Sequence, residues 1–294
     1  MDISGTGIWN AGLRFRSFEQ VAEVAVELEQ LGYTSLWIPD YNGGIFERVE
    51  KLLGATSTIT VGTGILNLWM YEPAEVCEGY RQVRETFGDR FLMGIGVSHA
   101  PTVESVLDGT TWAKPLAKMR TFLDALDATS SPVPVDRRVL AALGPKMLEL
   151  ARDRAGGAHP YNVTPEHTAR ARAALGPGKT LVPEQAVALT TDAATARAIG
   201  RTFLEHYLGL PNYTNNLRRL GFTEEDLAGG GSDRLIDALV AWGDEEAIAA
   251  RLQEHRDAGA DGVCIQALSD GDMTDVPLDV LRALAPALTQ GGSR

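Results

Sequence analysis

Cysteine is nearly missing from this chain of 294 residues: Cys77 and Cys264 are the two present, and neither belongs to a CxxC pair. That argues against a disulfide framework or a zinc site and points to a reducing, cytoplasmic setting. No apolar run approaches the ~18 residues of a membrane span. Residues 1–10 lack the basic start and apolar core of a secretion signal. An excess of positive charge is lacking too. The formal net charge is -12, which argues against a nucleic-acid partner, because a phosphate backbone needs a basic face. A small anion in a locally basic pocket stays possible. Histidine is sparse: His99, His159, His167, His206 and His255, with no HExxH spacing, so no metal centre is expected.

Two nucleotide motifs are present only in part. Gly176-Pro177-Gly178-Lys179-Thr180 imitates the end of a phosphate loop, but its first glycine position is Ala173 and it follows a helix, so it reads as a helix stop. Gly94 and Gly96 imitate a dinucleotide fingerprint whose third glycine position is His99.

What the chain does have is a strand–helix alternation. Ser17 and Gln20 form a capping box ahead of Val21, Ala25 and Leu28 at helical spacing, and Gly32 ends that helix before a strand at 34–38. The same helix–glycine–strand step recurs ahead of residues 91, 158 and 263, a degenerate αβ repeat. Strands are expected at 5–9, 34–38, 60–66, 91–97, 138–143, 158–161, 185–189 and 263–268. Eight strands at near-regular spacing favour an α/β fold of the (β/α)8 TIM-barrel type in one domain, residues 1–294.

Two intervals are too long for simple units, 99–137 and 190–262. The second holds an expected helix at 192–208, a Pro- and Asn-rich stretch at 211–216, and Gly229-Gly230-Gly231. Both leave strand carboxyl ends, so they are expected as insertions over the barrel mouth.

The stretch 91–101 concentrates the signal. Its apolar strand is interrupted by Gly94 and Gly96 and turns polar at Ser98 and His99. Glycine inside a strand marks a close approach to the backbone, and strand carboxyl ends are where such folds build their sites. His99 and His159 each follow a strand; His167, His206 and His255 fall on helices, where surface or packing roles are expected. Asp40 and Tyr41 end the second strand, with Asp40 also suited to capping its turn. At Gly144-Pro145-Lys146-Met147 a strand turns into a helix, offering free backbone N–H groups and a lysine to an anion.

Several runs together resemble the bacterial luciferase-like flavin and deazaflavin oxidoreductases. They are Ser35 to Asp40, Val61 to Ile65, Gly94 to His99, Gly144 to Tyr161, and Ser232 to Gly243. The Gly-Val-Ser-His-Ala-Pro run and Ala158-His159-Pro160-Tyr161 look most like the coenzyme F420-dependent, actinobacterial branch. The resemblance covers essentially the whole chain. It implies a TIM barrel, a likeness to homodimeric enzymes, and a cofactor lying across the strand carboxyl ends. The ring would rest against Gly64, Ile65, Gly96, Val97, Ser98 and His99, over a non-prolyl cis peptide at Gly64–Ile65. The phosphate would fall near Gly144, Lys146, Met147, Gly156 and Gly157, with His159 added to the cofactor set.

Asp40 and Tyr41 would border the reactive face. The family's sugar-phosphate and alcohol dehydrogenases carry Asp-His where this chain has Asp40-Tyr41, and the former has a glutamate near Val97. That departure counts against sugar-phosphate oxidation and leaves Tyr41 and His99 as proton donors. The implied activity is F420-dependent hydride transfer to or from a small organic substrate. The alternatives are an FMN-dependent monooxygenase and a non-catalytic F420- or flavin-binding barrel. The anionic tail of F420 would need cations, and Lys146, Arg218, Arg219 and Arg234 are the ones available, unless they pair with Glu224, Glu225 and Asp233.

Overall fold

The computed structural model describes residues 3–269 and 274–289. Eleven strands form one sheet: β1 Thr6–Trp9, β2 Ser35–Ile38, β3 Thr60–Thr63, β4 Leu66–Asn67, β5 Phe91–Gly96, β6 Arg138–Leu140, β7 Gly157–Ala158, β8 Thr180–Leu181, β9 Glu184–Leu189, β10 Val240–Gly243 and β11 Val263–Ala267. Their order is β10-β9-β11-β1-β2-β3-β5-β6-β7-β8, with β4 against β5, and the strand pairings are parallel.

The sheet returns on itself because β8 and β9 are one stretch of chain, parted by Val182 and Pro183. On one side Val182 N donates to Ala158 O (3.1 Å) and Glu184 N to Pro160 O (2.9 Å). On the other, Cys264 N donates to Pro183 O (3.0 Å). The architecture is α/β and TIM-barrel-like.

Three differences from the expected strands have physical causes. The third strand breaks into β3 and β4 at the cis Gly64–Ile65 peptide, where the resemblance placed one. The seventh forms as expected within β9, but a short β8 precedes it, parted from it at Pro183, which has no N–H to give. The additional β10 lies against the upper half of β9, in register from Val240↔Ala186 to Gly243↔Leu189.

The strands bury both faces, as parallel barrel strands must. Ile8, Leu36, Val61, Phe91, Val187 and Ile265 pack outward into the main core beneath the helices. Trp9, Trp37, Leu92, Val139, Val182 and Cys264 form a separate interior cluster. Neighbouring strands approach closely: a Cβ on Gly94 would stand 2.0 Å from Thr63 O, and one on Gly157 only 1.8 Å from Thr180 O. Helix Phe18–Gln30 has the expected capping box from Ser17 and Gln20, and Gly32 takes φ 91° behind it.

The interval after β5 holds helices Ala100–Val106 and Pro115–Asp127. The one after β9 holds Ala193–Leu208, Pro211–Arg219, Glu224–Leu227 and Asp233–Leu239. The Pro- and Asn-rich stretch is therefore a helix. Pro211 occupies its first turn, where no N–H is needed, and Tyr213, Leu217 and Leu220 bury at helical spacing. Among the described residues no helix is long and apolar enough to cross a membrane.

Candidate active site

The mouth is built from strand carboxyl ends. Beyond β5, Ser98 takes φ 50°, and His99 is the cap residue of helix Ala100–Val106. The carbonyl of Val97 accepts from the indoles of Trp69 (2.9 Å) and Trp112 (2.7 Å), fixing this corner. His99 is half-buried, and its ring lies 5.5 Å from that of Tyr213. Burial, aided by the nearby His206, pushes its pKa down to about 4. It is therefore neutral at pH 7. In that state His99 is an acceptor, or a neutral N–H donor.

Beside it, Gly64 O accepts from Trp9 Nε1 (2.8 Å). A Cβ on Gly96 would meet Ile65 at 2.5 Å, so Gly64, Ile65 and Gly96 form one packed floor. Asp40 is 6% exposed and its oxygens are engaged. Gly43 N donates to Oδ1 (3.1 Å) and Asn67 N to Oδ2 (3.4 Å), and Tyr71 adds a side-chain hydrogen bond. Burial raises its pKa against those donors. Asp40 thus pins the turn after β2 to β4. The ring of Tyr41 lies tilted against that of Phe15 (5.3 Å), and burial raises the pKa of its phenol.

Beneath the mouth, His159 is 1% exposed and stacks on Trp37 at 4.3 Å. Its Nδ1 donates to Val182 O (2.7 Å), which leaves Nε2 as a buried acceptor without a partner among the described residues. Burial lowers its pKa to about 4. Tyr161 donates to Gln266 Oε1 (2.7 Å) and shares a hydrogen with Tyr207 (2.8 Å). Tyr213 completes the group, 5.1 Å from Tyr207 and 6.4 Å from Tyr161. The ring of Tyr213 thereby touches the ends of both β5 and β7. Glu184 lies fully buried below, with Oε2 accepting from Asn162 N (2.8 Å) and Oε1 unpartnered. Burial lifts its pKa to about 8, so it is a neutral acid at pH 7.

The strand-to-helix turn after β6 places Gly144 at the cap of helix Pro145–Arg154, with no side chain capping it. Lys146 is exposed and Met147 half-buried. Arg219 comes from helix Pro211–Arg219, and its Nη1 would stand 3.7 Å from a Cβ on Gly144. Gly156 and Gly157 are elsewhere. Gly156 packs on Asp136 and pairs with the start of β6 and β8, at the amino end of the barrel. The pair serves close strand contact, not the Gly144 corner. Arg234 is also engaged: it pairs with Asp226 (2.6 Å) and lies over Phe222. Arg218 pairs with Glu224. Lys179 donates to Ala155 O (2.7 Å), consistent with a helix stop and not a phosphate loop. Among the helical histidines, His167 and His255 are buried; His255 bridges Thr168 and Gln185.

Sequence reasoning passed over Trp9, Tyr161, Tyr207 and Tyr213. The paired tyrosines flanking a Pro-Asn dipeptide, Tyr207 and Tyr213, were the available signal. Among the described residues, no three His, Cys, Asp or Glu side chains converge to hold a metal ion.

A family model described as luciferase-like monooxygenase matches residues 4–262. The chain belongs to that family. It is 27% identical over 163 residues to a 5,10-methylenetetrahydromethanopterin reductase of Methanolobus tindarius, covering 47% of this chain and 48% of that one. The chain thus matches about half the length of that curated relative. Among solved structures it is similar to an F420-dependent secondary alcohol dehydrogenase bound to an F420-acetone adduct, with TM-score 0.73 at 14% identity, covering 98% of this chain and 99% of that one. It is also similar to an FMN complex of the oxygenating part of 3,6-diketocamphane monooxygenase from Pseudomonas putida, with TM-score 0.71 at 12% identity, covering 98% and 97%. These two likenesses speak to the fold. The relatives are oxidoreductases and monooxygenases.

Proposed function

We propose that the chain is an F420-dependent oxidoreductase that moves a hydride between the deazaflavin and a small, uncharged organic substrate at the carboxyl-end mouth. The observation that carries this is a mouth of two halves. One half is aromatic and neutral: Trp9, Tyr41, Tyr161, Tyr207, Tyr213 and a His99 held uncharged. The other is an uncapped helix start at Gly144 with the guanidinium of Arg219, unpaired among the described residues, beside it. A ring joined to a phosphate has that pair of needs. The residues present therefore fit such a cofactor, with Gly64, Ile65, Gly96, Val97 and Ser98 under the ring and Gly144, Lys146, Met147 and Arg219 at the phosphate.

When bound, the deazaflavin supplies the hydride chemistry. The chain's own part is to orient and to exclude water. His99 and Tyr213 present hydrogen-bonding groups to a substrate oxygen, and the excursion after β9 closes over them. Among the described residues this neutral wall offers no counterion for an ionic substrate, which supports a carbonyl or alcohol.

A second reading has an observation in its favour. Arg218 and Arg234, expected to hold a polyanionic tail, are instead paired with Glu224 and Asp226. The guanidinium of Arg219 beside Gly144 suits the single phosphate of FMN, and with it a monooxygenase. Titrating the apoprotein with F420 and with FMN by fluorescence separates the two. Tighter F420 binding is expected; a preference for FMN would favour the monooxygenase, and binding of neither would end both.

A further inference from the structure

Helix Pro211–Arg219 has two unlike sides. Outward, Arg218 is satisfied by Glu224 (2.5 and 2.9 Å) and Asn215 (3.2 Å). On the other side, Tyr213, Asn216 and Arg219 have no side-chain hydrogen bond or ion pair among the described residues. Tyr213 and Asn216 are nonetheless only 6% and 3% exposed. Neither residue's polar atoms are among the fully enclosed ones that lack a partner, so what surface they keep is open to an incoming group. Their spacing of three residues sets them along one stripe of the helix. The stripe begins against His99 beyond β5 and ends against Gly144 beyond β6. Arg170 holds its last turn by donating to Arg219 O (2.7 Å).

We propose that this stripe is the clasp for the cofactor's polyol-phosphate arm: Arg219 takes the phosphate together with the helix start at Gly144, Asn216 takes the polyol hydroxyls, and Tyr213 closes over the ring end. The inference rests on the cofactor reading above. From Tyr213 to Arg219 the helix rises ~9 Å, the span of a five-carbon polyol ending in phosphate. A guanidinium fork matches two phosphate oxygens at once. A carboxamide both donates and accepts, as each hydroxyl does. The arm is common to F420 and FMN, so the clasp does not choose between them.

The test is equilibrium binding by fluorescence, pairing each phosphorylated cofactor with its phosphate-free core: F420 with its deazariboflavin core, and FMN with riboflavin. Lumichrome serves as the ring alone. Wild type, Arg219→Ala and Asn216→Ala are compared, with circular dichroism and thermal midpoints recorded for each. Arg219→Ala should weaken the phosphorylated member at least tenfold and leave its core within twofold. Asn216→Ala should weaken both members alike and spare lumichrome. Arg219 is exposed, so its variant folds even where Asn216→Ala does not. Wild-type affinity for the phosphorylated cofactor in Arg219→Ala overturns the clasp while leaving the cofactor reading standing. Failure of wild type to bind F420 and FMN overturns both.

Discussion

His99 is the residue whose character changed most between chain and structure. A strand-end histidine reads as a proton donor near neutrality. Burial and His206 instead hold it near pKa 4, so its ionisation should leave no step in the rate between pH 5.5 and 7.5. His99→Ala should lower turnover or cofactor affinity at least tenfold, about 1.4 kcal/mol, with little change in thermal midpoint; kinetics like wild type would return it to a packing role. Glu184 makes the opposite kind of prediction. Its folded pKa of about 8 lies above the unfolded value, so the unfolded chain releases its proton first as pH rises. Stability present below pH ~4 is lost progressively up to pH ~8. Glu184→Gln keeps the hydrogen bond from Asn162 and removes that loss. It should melt higher than wild type at pH 8, by up to ~4 kcal/mol, with the gap closing toward pH 4. A pH-independent gap would mean that Glu184 is ionised in the fold.

Elements were legible where their own residues carry the signal. The capping box at Ser17 and the stop at Gly32 located a helix and the strand after it, and the polar end of β5 located one wall of the mouth. Elements defined by neighbours were not. The strand expected at 158–161 pairs as Gly157–Ala158 instead, Thr180–Leu181 is a strand of two residues set by what it pairs with, and β10 exists because β9 offers it an edge above Pro183. The Tyr161, Tyr207 and Tyr213 cluster joins residues far apart in the chain, and aromatics at helical spacing read equally well as core. Gly156 and Gly157 misled for a related reason: the glycine is needed, but by a strand and not by a ligand. With Thr180 O where the new methyl would go, Gly157→Ala should cost ~3 kcal/mol or more, read as a lowered urea midpoint. An unchanged midpoint would show that β7 and β8 can part.

Across the whole molecule, the charge of -12 sets the terms for an anionic cofactor. With Arg218 and Arg234 already paired, the attraction is concentrated at one corner. Raising salt from about 0.05 to 0.5 M should weaken F420 binding, and Arg234→Ala should change it less than twofold, since screening acts on exposed charges. A tenfold loss in Arg234→Ala would mean that the Asp226 pair opens to receive the tail. The join of the barrel bears on a different matter, the order in which the chain is made. β1 pairs with β11 from Thr6↔Val263 to Ile8↔Ile265. On the ribosome, β1 must therefore wait with one edge bare until β11 has emerged. Until then the nascent protein carries an open sheet edge, which makes its time in translation, more than its finished state, the period in which it is exposed to aggregation and to chaperones.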